Sequence, residues 1–129
     1  KIKFHQAYFK SKVNVGMSDF FKSEMVRGDL QEMMELQQQC FRYAMSFPVL
    51  DNDRRKEYLE ILMSLLEKQE IMYARMSLSE DEEAKTVVEN MRNAVVMLGG
   101  DPNLTVKDMF MDLRTKVNTM MKNFSGEGA

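Results

Sequence analysis

Four glutamates fall in two i, i+3 pairs, Glu57 with Glu60 and Glu67 with Glu70, close to the spacings with which helical bundles present carboxylates to paired iron ions. Such a site also takes histidines on the same helices, and the single histidine, His5, lies far from all four glutamates in the chain. All four fall on the polar side of one amphipathic segment, so a solvated charged face is the preferred reading. Copper binding is the next chemistry to weigh, because Met33-Met34, Met72 with Met76, Met109 with Met111, and Met120-Met121 are closely spaced. Most of these sit on apolar stripes, where methionine acts as an adaptable filler. Cys40 has no histidine on the helical part of the chain to activate it and reads as a small buried hydrophobe. No phosphate-cradling glycine motif and no H-E-x-x-H occurs. The expectation is a non-enzymatic protein with no cofactor and no metal.

Residues 1–16 offer a different chemistry. Lys1, Lys3, Lys10 and Lys12 stand there without any acid, interleaved with Phe4, Tyr8 and Phe9, a combination that contacts phosphates and stacks on bases. This supports an alternative function, a nucleic-acid-associated regulator acting through the basic N-terminal segment. The formal charge of -2 over 129 residues gives the molecule as a whole no such footprint, and a solvated tail is the plainer reading.

Gln37 and Gln69 each fall near the middle of an apolar arc on their own helix. A buried amide without a partner costs about 1 to 3 kcal/mol. Counting outward from the connection between the two helices, Gln37 lies opposite about Leu62 and Gln69 opposite about Leu30, so the two should not meet within one chain. A partner chain could satisfy them, as polar residues in helical seams do when they set register and oligomeric state; a hydrogen bond inside the chain is the alternative. Ile71, Val96, Met97 and Met111 are apolar residues on otherwise polar helix sides, and with Gln37 and Gln69 they make up the candidate interface.

The elements that must position these residues read as an all-α, four-helix arrangement. Two prolines, six glycines, no tryptophan and 14 methionines suit a helical chain, and 129 residues suffice for one domain with a hydrophobic core. A long antiparallel hairpin is expected over about 19–46 and 53–76, followed by helices over about 80–98 and 105–124. Val26, Leu30, Met33, Met34, Phe41, Ala44 and Met45 give the first helix its stripe, with a possible break at Gly28, where Asp29 and Glu32 offer a fresh cap. Phe47-Pro48 ends it, and Asp51 or Asn52 caps the second. Between 53 and 76 the apolar arc, from Tyr58 to Met76 with Leu62 near its middle, is about twice the width one neighbour covers. That helix should therefore be central.

Ser79 with Glu82 is expected to cap the third helix, with a stripe of Ala84, Val87, Val88, Met91, Val95 and Leu98. Thr105 with Asp108 opens the fourth, whose Val106, Phe110, Leu113, Val117, Met120 and Phe124 follow a seam-like spacing. Met17-Ser18-Asp19 has the pattern of a start residue and a helix cap, so residues 1–16 read either as a leader outside the fold or as part of it. Residues 17–124 form one helical domain and 125–129 a flexible tail.

With the helices placed, the pattern resembles a family of short helical proteins from cyanobacteria and their phages that is catalogued as a domain of unknown function. The likeness starts at Phe20-Phe21, Ser23-Glu24 and Val26, and is strongest in Glu60, Leu65, Glu67, Ile71, Arg75 and the run Leu78-Ser79-Glu80-Asp81. It returns at Met109-Phe110 and Met120. This chain departs in a longer first connection containing Pro48 and in an added Gly99-Gly100-Asp101-Pro102 turn. The resemblance implies a cytoplasmic helical protein of cyanobacterial or phage origin and brings no catalytic residues. Together these readings point to a self-associating helical interaction module, first as a homodimer, with a protein partner left unidentified and no membrane association.

Overall fold

Every other long helix of the protein packs against α3, Asn52–Leu78. The computed structural model describes residues 18–99 and 103–124. In chain order they form α1 (Asp19–Lys22), α2 (Glu24–Ser46), a 3-10 turn (Phe47–Val49), α3, α4 (Glu82–Gly99) and α5 (Val106–Phe124). The fold is all-α. The basic leader, with Lys1, Lys3, Lys10, Lys12, Phe4, Tyr8 and Phe9, and the tail 125–129 lie outside the described residues.

The central place of α3 follows from its wide arc. Leu59 and Leu66 are buried with Val95, Val106, Phe110 and Val117 of α4 and α5, while Met72 and Met76 are buried with Phe21, Val26, Ala84 and Val88 of α1, α2 and α4. Two clusters of apolar side chains thus share one helix, and Tyr73 and Met91 touch both. Leu62, near the middle of the arc by sequence, is only partly buried, and the fully enclosed position is Leu59.

Local signals account for most helix ends. Asp51 accepts a hydrogen bond from the Arg54 amide at 2.8 Å and caps α3. Thr105 and Asp108 form the reciprocal box at the start of α5, with the Asp108 amide donating to Thr105 Oγ1 at 3.0 Å and the Thr105 amide donating to Asp108 Oδ2 at 3.4 Å. Pro48 terminates α2 in the 3-10 turn, where Arg55 donates to the Phe47 and Pro48 carbonyls, both at 3.2 Å. The same guanidinium lies 4.9 Å from the Phe47 ring centre and 5.7 Å from that of Phe124, tying the end of α5 to the hairpin turn.

Two ends differ from expectation. The break near the start of the first helix falls at Ser23, whose hydroxyl accepts from the Val26 amide, and α2 runs unbroken through Gly28. Gly28 faces open space, since a Cβ added there meets nothing within 4 Å. Gly28→Ala is therefore expected to raise stability by up to about 1 kcal/mol, read as a higher urea midpoint. The cap of α4 is Asp81 rather than Ser79. Asp81 Oδ1 accepts from the Glu83 and Ala84 amides at 2.9 and 3.1 Å, and Ser79 Oγ accepts from the Asp81 amide instead.

The stripes also need correction. Leu98 and Met120, expected in the core, are exposed, and Met121 packs in the core beside α5's other apolar residues. Leu30, Met34, Phe41, Ala44 and Met45 of α2 are exposed as well, while Val26 and Cys40 are buried. The reason is that α2 packs along α3 and against α1 and has no comparable packing with α4 or α5. With one long neighbour it can bury only part of its apolar surface.

Candidate functional site

The face of α2 that meets α3 carries polar side chains around the buried Cys40. Tyr43 donates to Glu57 Oε2 at 3.0 Å, Lys68 pairs with Glu32 at 2.7 Å, and Arg75 pairs with Asp29 at 2.5 Å. Residue i of α2 thus faces about residue 100 − i of α3, within roughly a turn, which is the antiparallel register counted from the sequence. The hydrogen bond to Glu57 raises the Tyr43 pKa, and the bond to Glu32 raises that of Lys68. Half-exposed pairs of this kind add little stability individually. Their effect is to fix how α2 is rotated.

That rotation leaves an apolar stripe in solvent. At 100° per residue, Val26, Met33 and Cys40 share one side of α2, where Val26 belongs to the apolar cluster that also holds Ala84 and Val88 of α4, and Leu30, Met34, Phe41 and Met45 come next around the helix. These four are 37%, 54%, 66% and 71% exposed. Gln37 and Gln38 sit midway along the stripe, and Met34, Gln37, Gln38, Phe41 and Arg42 line a shallow open depression. The polar flank carries Gln31, Glu35 and Arg42, all exposed.

The candidate interface residues are spread over α2, α3, α4 and α5. Gln37 is exposed within the α2 stripe, and Gln69 is half-buried, so neither amide is forced to find a partner inside the chain. Ile71 and Met111 are exposed, and each lies about 60 to 100° around its helix from the Glu70–Arg114 pair, which joins α3 to α5 through contacts of 3.1 and 3.2 Å. Ile71 lies on the side of α3 away from Met72 and Met76, whereas Gln37 lies on the side of α2 that carries Val26. Val96 and Met97, also exposed, are consecutive near the end of α4 and point about 100° apart.

The remaining chemistry-bearing side chains have structural surroundings. Cys40 is a buried free thiol, and burial pushes its pKa up, away from the reactive thiolate. Its neighbour Tyr58 is likewise raised, by burial and then by Cys40. Glu57 and Glu70 are taken up by Tyr43, Arg54 and Arg114, while Glu60 and Glu67 are exposed. Among the described residues no group of three or more metal-ligating side chains is assembled, and no helix is long and apolar enough to cross a membrane.

Sequence reasoning missed the stripe Leu30, Met34, Phe41 and Met45 as a surface, because the same periodicity had assigned it to the core. Residues 18–124 match the model of a family described as a domain of unknown function (DUF1825). No curated protein and no solved structure matches the chain.

Proposed function

We propose that the chain, which belongs to this family, is a non-enzymatic helical interaction module that associates with a second copy of itself through the outer face of α2. The supporting observation is the stripe itself, in which Leu30, Met34, Phe41 and Met45 stand in water along one side of a 23-residue helix. Single exposed apolar residues are ordinary, but a continuous row at helical spacing marks an interaction site. Its spacing matches what a second helix needs to pack against. The cytoplasmic location and the cyanobacterial or phage setting implied by the resemblance go with this reading.

Size exclusion with light scattering tests it. The full chain is expected to show about twice its 15.1 kDa mass at tens of micromolar, and Phe41→Glu is expected to run as a single chain. A buried charge at a central apolar contact weakens association by at least about 30-fold, and at an exposed position it leaves the monomer fold intact. A wild-type mass of 15.1 kDa at about 100 μM would sink the reading.

A further inference from the structure

We infer that the two copies pair antiparallel along α2, about a two-fold axis that passes between Gln37 and Gln38. This rests on the self-association reading and specifies its geometry. The stripe reads Leu30, Met34, Gln37, Gln38, Phe41, Met45, with spacings of 4, 3, 1, 3 and 4 that are the same in either direction. An isologous interface requires that residue i meet residue j while j meets i. Reversal about the midpoint sets Leu30 level with Met45 and Met34 level with Phe41, so apolar side chains meet apolar ones. Gln37 and Gln38 stand about 100° apart on opposite margins of the stripe, so Gln37 meets Gln37 of the other copy and Gln38 meets Gln38, and amides meet amides. A primary amide both donates and accepts, so each central pair satisfies itself across the axis.

Charge separates this arrangement from the parallel one. Glu35 and Arg42 flank the stripe on the same side, both exposed, and neither is in an ion pair within the chain among the described residues. In the antiparallel pairing Glu35 of one copy stands within about 3 Å, along the helix axis, of Arg42 of the other, and this happens twice. A parallel in-register pairing puts Glu35 level with Glu35 and Arg42 level with Arg42. Like charges at the margin of a helical seam oppose pairing, and opposite charges set its orientation. The glutamines at the centre add to this, because polar residues inside an apolar seam fix register.

Disulfide trapping in the full chain, with Cys40→Ser as background, tests the geometry, and light scattering of each variant runs beside it. Gln37→Cys is expected to cross-link to itself. Ala44, the neighbour of Met45, lies on the same margin of the stripe as Leu30 and is the residue that Leu30 of the other copy reaches. Leu30→Cys alone and Ala44→Cys alone are therefore expected to stay uncross-linked, and an equimolar mixture of the two is expected to give the mixed dimer in high yield. Self-cross-linking of Leu30→Cys would show a parallel seam and overturn the inference. A mass of two chains with no cross-link at any of these positions would also overturn it, while leaving self-association through another face. A mass of one chain throughout would remove the inference together with the function on which it rests.

Discussion

Leu59→Ala is expected to lower the stability of the protein by about 3 to 5 kcal/mol, measured by urea unfolding at a fixed protein concentration. Leu59 has no exposed surface and lies among Leu66, Val95, Val106, Phe110 and Val117, so truncation removes its transfer free energy and leaves a cavity walled by three helices. The neighbouring Glu60 is exposed, and Glu60→Ala is expected to change stability by no more than about 0.5 kcal/mol. Leu62→Ala should fall between the two, because Leu62 is only partly buried. Equal losses at positions 59 and 60 would mean that α3 presents a different face to α4 and α5.

The second large effect is expected at Asp81, whose carboxylate serves two helix N-termini. Oδ1 caps α4 through the Glu83 and Ala84 amides, and Oδ2 accepts from the Phe20 amide of α1 at 3.1 Å, across 61 residues of sequence. Asp81→Ala removes a cap and strands the Phe20 amide, for an expected loss of about 2 to 4 kcal/mol. Burial pulls the Asp81 pKa upward, but the hydrogen bonds from Phe20, Ala84 and other donors outweigh it, so the pKa lies below its ordinary value of 3.8. A carboxylate depressed in the folded state contributes stability above its unfolded pKa and loses it as pH falls through the folded one. The gap between wild type and Asp81→Ala is therefore expected to hold from neutral pH down to about 4 and to narrow below it. A gap that keeps its size as the pH falls well below about 4 would show that the charge on Asp81 does not matter.

Features set by neighbouring residues were legible in the sequence. The end of α2 at Pro48, the Asp51 cap, the Thr105–Asp108 box and the wide arc of α3 each depend on spacings within a few turns. Where two local signals competed, the choice was not legible: Ser23 breaks the first helix where Gly28 offered a break, and Asp81 caps α4 two residues beyond Ser79. The rotation of α2 was legible least. It depends on Asp29, Glu32 and Tyr43 finding Arg75, Lys68 and Glu57, and a charged face that pairs with another helix has the same periodicity as one that meets water. An apolar stripe shows that something must cover it and leaves open whether the cover comes from the same chain. The register between α2 and α3 was legible because a short connection leaves little freedom.

The most direct measurement is peroxide oxidation of the methionines followed residue by residue in the full chain as concentration is raised from about 1 μM to about 100 μM. Met34 and Met45, exposed on the α2 stripe, are expected to become protected as the second copy covers them, while Met97 and Met111, also exposed but on α4 and α5, are expected to oxidise at an unchanged rate. Oxidation of Met34 and Met45 that stays as fast at the highest concentration as at the lowest, or protection that appears at Met97 and Met111 instead, would contradict a seam along α2.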